Sequence, residues 1–280
     1  MQEIGLNICD IQRRVLGKSE IILDTTLDSK KLYNVSRLYV GSYYCSNYFL
    51  QTPQNGYREL LLFAKRRGLK VTLVIPPLFE KDQKASKELL LYLKSLSIEL
   101  DNIIDEVSIN DLGMLELIQK EPSVEIFIGR LLQKDNRDPR YFDFFAQKHV
   151  PRIFNNYYKK FITENGISGI EIDCTHETIE IPNTLGSTKV AVHKPYCYMS
   201  LGSICEFASI GKPDNMKFRF ADSCKCECDT AFIECIYSPE NTFERIGRSV
   251  QFENGDCEIC SAIPYRLIYT PIAELLYNAF

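Results

Sequence analysis

The sequence predicts an α/β protein: a TIM-like (β/α) barrel followed by an irregular, cysteine-rich C-terminal segment. Three observations carry this expectation. First, short β-branched runs alternate with amphipathic helical stretches between residues 36 and 193, the pattern of βαβ units around a parallel sheet. Second, six such runs follow one another with no linker-like break, and no Gly-x-Gly-x-x-Gly or Walker loop marks an open nucleotide-binding sheet. Third, the alternation fails beyond residue 195, where cysteines, glycines and short polar pieces take over. The expected division is a barrel body over 1–195 and a cysteine-rich segment with C-terminal elements packed on it over 196–280.

The elements follow in order. Ser36–Gly41 reads as a strand. Gly56–Gly68 reads as a helix, with basic residues in its last turn and a glycine stop. Lys70–Ile75 is a buried strand that Pro76-Pro77 ends. Gln83–Leu100 has helical periodicity and Ile103–Ile109 is a strand. Asn110-Asp111 supplies a cap for a short helix over Leu112–Lys120. Val124–Ile128 is a strand, and Tyr141–Asn165 reads as helical with an interruption near Pro151. Ile167–Ile172 and Lys189–His193 complete the strands.

Composition narrows the function classes. The chain has 280 residues, 45% of them hydrophobic and 25% charged, enough for one sizeable core. The net charge is -4 and the longest basic run is Lys65-Arg66-Arg67, which argues against a nucleic-acid or anionic-membrane partner. No apolar run reaches the ~18 residues of a membrane span. The start, Met1–Asn7, lacks the basic and apolar regions of a secretory signal. The eleven cysteines are odd in number, and a domain of this size does not depend on disulfide staples. Reduced thiols in the cytoplasm, serving as metal ligands, are therefore the expectation.

The cysteines cluster. Cys205, Cys224, Cys226 and Cys228 lie in two late runs, and Cys45 follows an early strand. Thiolates gathered this densely are normally held by zinc or an iron–sulfur cluster. In a parallel barrel, loops after the strand C-termini form the functional face. Topology alone can therefore bring Cys45 beside the late cysteines, although a buried free cysteine is also a common core residue. Cys257-x2-Cys260 is a competing signal, which with Cys224 and Cys228 would make a four-thiolate zinc site. Glu171 and Asp173 flank a strand end, either as acid–base groups or as a cap or ion pair. His193 ends the strand before the cysteine segment, as a ligand-binding group or a structural histidine. Arg130, Arg137 and Arg140 read mainly as surface ion pairs around Asp135 and Asp138.

Three stretches resemble the peptidase family U-thirty-two, the collagenase-like peptidases: Arg37–Ser46 with its glycine and cysteine, Val107–Gly113 with Asn-Asp-Leu-Gly, and Gly202–Ser209 followed by Cys224-x3-Cys228. Gly129-Arg-Leu-Leu and Arg137-Asp-Pro-Arg140 resemble further segments of that family. The branch it is most similar to is the short ubiquinone-biosynthesis accessory proteins of oxygen-independent hydroxylation. That resemblance implies a barrel carrying a 4Fe–4S cluster on Cys45, Cys205, Cys224 and Cys228, and a partner from the same family. Cys226, Cys197 and Cys235 are alternative ligands, and the loop between Cys205 and Cys224 is longer than in that branch. Zinc remains the alternative metal.

The expected function is thus an iron–sulfur protein in oxygen-independent hydroxylation or a related redox modification, with Glu171, Asp173 and His193 as candidate catalytic groups. A non-catalytic binding module with a structural metal is the alternative. Peptidase activity ranks last: no Gly-x-Ser-x-Gly or His-Glu-x-x-His occurs, and the chain has three histidines.

Overall fold

The computed structural model describes residues 2–29, 32, 34–119, 123–144, 148–219, 224–231, 233–238 and 241–277, with the side chains of all these except 29, 142, 143, 233–238, 241, 273, 276 and 277. The strands in chain order are β1 (Ile4–Asn7), β2 (Val35–Gly41), β3 (Lys70–Ile75), β4 (Ile104–Ile109), β5 (Glu125–Ile128), β6 (Lys148–His149), β7 (Gly169–Asp173), β8 (Thr178–Ile181) and β9 (Lys189–Lys194). They continue with β10 (Tyr196–Leu201), β11 (Ile233–Ser238), β12 (Asn241–Ile246), β13 (Ser249–Glu253), β14 (Glu258–Ser261) and β15 (Arg266–Tyr269). The helices are α1 (Ser19–Ser29), α2 (Ser46–Gln51), α3 (Gln54–Arg66), α4 (Gln83–Glu99), α5 (Leu112–Ile118), α6 (Asn156–Glu164) and α7 (Ile272–Tyr277).

Eight strands close into a barrel in the order β1-β15-β9-β7-β5-β4-β3-β2, every neighbouring pair parallel. The TIM-like expectation therefore holds for the barrel. Its strands read as near-continuous apolar runs because both faces are buried, inside against the barrel interior and outside against helices. Helix α3 shows how the outer layer forms. Its Tyr57, Leu60, Leu61 and Ala64 fall on one buried stripe, Lys65 and Arg66 occupy its last turn, and Gly68 at φ +66° stops it. Asp111 caps α5 by accepting from the Gly113 N–H at 2.8 Å, as its sequence implies.

Three expectations change. The barrel body does not end at residue 195: β15 closes it between β1 and β9, so the C-terminal segment supplies a wall of the barrel. That segment is also more regular than expected, since β10-β13-β12-β11 form a four-stranded antiparallel sheet. The long helix over Tyr141–Asn165 is replaced by a 3-10 stretch over Pro139–Phe144, the short β6, a 3-10 turn at Arg152–Phe154 and α6. Pro151 lacks the N–H a continuous helix needs, and Asn155 starts α6 afresh by accepting from the Tyr158 N–H at 3.0 Å.

The N-terminal end of the barrel is plugged by charge. Glu106, without solvent contact, accepts from Arg266 at 2.7 and 2.9 Å and from the Thr72 hydroxyl at 2.8 Å. Arg37 completes the group through Asp105 at 2.6 Å. A cavity of about 630 Å³ opens at this end, lined by Glu3, Lys189 and Arg266 among others. It lies opposite the face where such barrels carry chemistry. No helix among the described residues is long and apolar enough to cross a membrane.

Candidate functional site

The C-terminal mouth of the barrel holds two adjoining features. The first is a thiol-lined cavity of about 30 Å³, to which Cys45, Cys205, Cys224, Cys226 and Cys228 all contribute. Cys45 arrives on the turn between β2 and α2. That turn is fixed by Ser42, whose hydroxyl donates to Asp10 and accepts from the Cys45 N–H at 2.9 Å. Gly41 makes the turn possible: its φ is +121°, and a Cβ there would lie 2.1 Å from the Val74 carbonyl oxygen. The 224–228 loop is pinned from the β1–α1 connection. Arg14 donates to the carbonyls of Cys228 and Ala231 at 2.6 and 2.8 Å, and Arg13 pairs with Asp229 at 2.7 Å.

The thiols differ electrostatically. The adjoining Cys226 side chain draws Cys224 down to about 7, against the opposing pull of burial, with the Cys226 N–H donating to its sulfur at 3.3 Å. Burial pushes Cys45 up to about 11 and raises Cys228 and Cys205. Arg219 and Arg248 line the same cavity and bring positive charge to the thiols. Among the described residues no three His, Cys, Asp or Glu side chains converge to hold a single metal ion. A four-iron cluster asks for something else, four thiolates each on a different iron around a larger body. Five thiols from three separate segments, with N–H and guanidinium groups among them, fit that donor chemistry. At about 30 Å³ the cavity admits a cluster only if the two late loops open around it.

The second feature is a buried polar chamber. It is about 10 Å³ and lined by Asn7, Cys9, Asp10, Tyr43, Tyr44, Arg130, Gln251 and Thr270, with Ile246 and Ile272 above. Glu171 and His193 stand on the adjacent strands β7 and β9, His193 opposite Asp173 and Glu171 opposite Ala191, and their side chains meet at 3.1 Å, both without solvent contact. Burial and the nearby Arg130 hold the imidazole below its ordinary value, outweighing the pull of Glu171. The assigned state is therefore a neutral ring with Nε2–H donated to Glu171. Among the described residues Nδ1, a bare acceptor, has no partner, and neither have Glu171 Oε1 or the hydroxyls of Tyr43 and Tyr44. The Tyr43 ring stands edge-on to His193 at 5.2 Å. Buried polar atoms without partners are uncommon, and here several gather at one place. Asp10 lies between the two features, and burial raises it to about 6 against its bonds to Ser42 and Tyr43.

The sequence-derived site residues divide accordingly. Cys45, Cys205, Cys224 and Cys228 are brought together, and Cys226 with them. Cys226 sits in a left-handed conformation, φ 57°, and points its thiol at Gln51 Oε1, 3.5 Å away. Cys197 lies elsewhere, donating to the Cys174 carbonyl at 2.9 Å. The side chain of Cys235 lies outside the described residues. Cys257 lies in the main core, its thiol donating to the Glu258 carbonyl at 3.5 Å, and Cys260 is on β14, so the four-thiolate zinc grouping with Cys224 and Cys228 does not assemble.

Glu171 and His193 form a pair, whereas Asp173 is held between two buried guanidiniums. Arg130 donates to it through Nε and Nη2, and Arg137 through Nη1 at 2.6 Å. Burial works to raise Asp173, but Arg130 and Arg137 together hold it below the usual carboxylate range. Both of its oxygens are engaged, so it positions the arginines and does not act as a proton acceptor. The expected surface pairing of Arg130 and Arg137 is thereby corrected, while Arg140 does pair with Asp138 at 2.5 Å. Asp10, Cys9, Tyr43 and Tyr44 are chamber residues that the sequence reading passed over. The only signal for them is position, each lying just past a strand end.

Comparison with protein-family models, curated proteins and solved structures finds no match for this chain.

Proposed function

We propose that the protein is a redox enzyme, or the subunit of one, that modifies a substrate at the barrel mouth without molecular oxygen, in a hydroxylation or related step, the chamber of about 10 Å³ opening to admit the reacting group. A 4Fe–4S cluster on Cys45, Cys205, Cys224 and Cys228 belongs to this reading. The observation that carries it is the gathering of five thiols from three distant segments around one cavity. A cluster bound there supplies one-electron transfer. The chain's own residues supply the rest. His193 Nδ1 accepts a proton from a bound group, Glu171 orients the ring through Nε2, and the Tyr43 and Tyr44 hydroxyls donate to substrate oxygens. Asp173 fixes Arg130 and Arg137 beneath Tyr198, with the Arg137 guanidinium 3.9 Å from that ring's centre. The β12–β13 turn joins the two features, because Ile246 and Gln251 cover the chamber while Gly247 and Arg248 line the thiol cavity.

One observation favours the second reading, a binding module with a structural metal: Glu171, Asp173 and His193 have no solvent contact at all. An anaerobic redox experiment separates the two. The dithionite-reduced protein is freed of reductant and mixed with a small-molecule extract of cells, and its reoxidation is followed by visible absorption. The enzyme reading expects reoxidation by the extract, slowed at least tenfold in His193→Gln with the cluster content unchanged. Equal rates in the two proteins would leave the chamber without a role and support the binding module.

A further inference from the structure

Helix α4 carries more apolar surface than its packing on the barrel uses. Leu89, Leu93 and Leu96 form the stripe it buries. Leu91 and Ile98, seven positions apart and farther round the helix, are 68% and 59% exposed. Beside this flank a cavity of about 390 Å³ opens between α4, Leu117 and Ile118 of α5, and Val124 ahead of β5. Its floor is Leu73 of β3 with Ile104 and Val107 of β4, which are only 4–6% exposed. Thr72 and Glu106, the chain neighbours of Leu73 and Val107, meet at 2.8 Å inside the barrel. Alternation along the strands therefore turns Leu73 and Val107 outward, and the cavity lies on the outer wall.

The charge at the cavity has one sign. Among the described residues that line it, the charged ones are Lys87 and Lys94, and none is acidic. Both lysines are exposed and stand seven positions apart on one side of α4, so they share the rim.

We infer that this groove binds a single-chain fatty-acid anion, with its hydrocarbon tail on Leu73, Ile104 and Val107 and its carboxylate at Lys87 and Lys94. Three features select that occupant. The lining is apolar down to the strands, and the volume falls within the roughly 300–1,000 Å³ of small-molecule sites. The rim cations complement an anionic head, because a lysine lays its stem along apolar surface and keeps its charge in water. The floor lies at strand level, beneath the helices. A partner helix, ~10–12 Å across with its side chains, would rest on α4 and α5 and leave that floor uncovered, whereas one hydrocarbon chain is thin enough to reach it. The inference concerns the outer wall and stands apart from the barrel mouth and any cluster.

The full chain is titrated calorimetrically with dodecanoate and, in parallel, with dodecyltrimethylammonium, which has the same tail and a cationic head. Both are kept below their micellar concentrations and at low ionic strength, where the head-group charge is least screened. The expected result is saturable binding of one dodecanoate per chain, with dodecyltrimethylammonium at least about tenfold weaker. This comparison needs no variant. Lys87→Glu combined with Lys94→Glu, both at exposed positions, is expected to reverse the preference. No saturable dodecanoate binding, equal binding of the two heads, or an unreversed preference in the double variant would overturn the inference. So would a dimer in sedimentation velocity that Leu91→Glu dissociates, because a second copy of the chain would then cover the groove.

Discussion

Replacing Asp173 with Asn hardly changes volume but removes the one negative charge between Arg130 and Arg137. Arg130 is 1% exposed and Arg137 8%, so neither guanidinium has water to turn to. Removing one partner of such a buried ionic group costs about 3–5 kcal/mol, because a charge is left uncompensated in a medium that solvates it poorly. The Asn carbonyl keeps one acceptor, which places the loss near the lower end, about 3 kcal/mol. For a domain of this size that corresponds to a fall in Tm of roughly 6–12 °C.

Urea unfolding at pH 7, followed by circular dichroism, measures it. The pH dependence has a defined sign. The folded-state value of Asp173 is depressed, so its contribution is fully present above the unfolded carboxylate value, ~3.9. That contribution is lost as pH falls through the lower folded value. Wild type and Asp173→Asn therefore differ at neutral pH and converge in strong acid. A loss below about 1 kcal/mol at pH 7, with activity abolished, would refute the positioning role and make Asp173 a reacting group.

Two further perturbations follow from other parts of the structure. Burial and the stacked His149 ring push His176 down to about 4, so its stabilising effect is complete above the unfolded value, ~6.5, and declines as pH falls from there to about 4. The decline is about 3 kcal/mol before screening and roughly 1–2 kcal/mol after it; His176→Gln is expected to flatten the pH–stability curve in that window, and an unchanged slope would contradict this. Gly41→Ala forces a methyl group against the Val74 carbonyl at a positive φ. It is expected to cost at least about 2 kcal/mol and to disturb the Ser42–Cys45 turn, read as a lower urea midpoint and reduced iron content after reconstitution; wild-type values for both would contradict the strain argument.

Much of the barrel was legible because its longer strands are buried on two sides and stand out as apolar runs between amphipathic helices. The strands that escaped notice have physical reasons for doing so. β1 is four residues with Gly5 inside it, where a Cβ would lie 2.4 Å from the Tyr39 ring. β15 begins with Arg266, a charge that the sequence alone places outside and the fold places inside, against Glu106. In the cap sheet β10-β13-β12-β11, β10 pairs with β13 across some fifty residues of chain, a long-range pairing that no local pattern announces.

The site shows the same division. The cysteines were legible as residue types, and the strand-end rule brought Cys45 toward the rest. The Asp173 clamp was not, because its partners lie 43 and 36 positions away in the chain and only folding reveals that all three are buried. The zinc alternative through Cys257 does not assemble because Cys-x2-Cys spacing describes local geometry, while folding puts Cys257 in the main core, apart from Cys224 and Cys228.

The central claim is that Cys45 joins Cys205, Cys224 and Cys228 around one cluster while Cys226 stands aside. Iron and sulfide analysis of anaerobically purified wild type, Cys45→Ser and Cys226→Ser tests it most directly. The account predicts about four iron and four sulfide per wild-type chain, loss of both in Cys45→Ser, and near-wild-type content in Cys226→Ser, whose thiol faces Gln51. One zinc per chain, no sulfide, and no change in Cys45→Ser would contradict it.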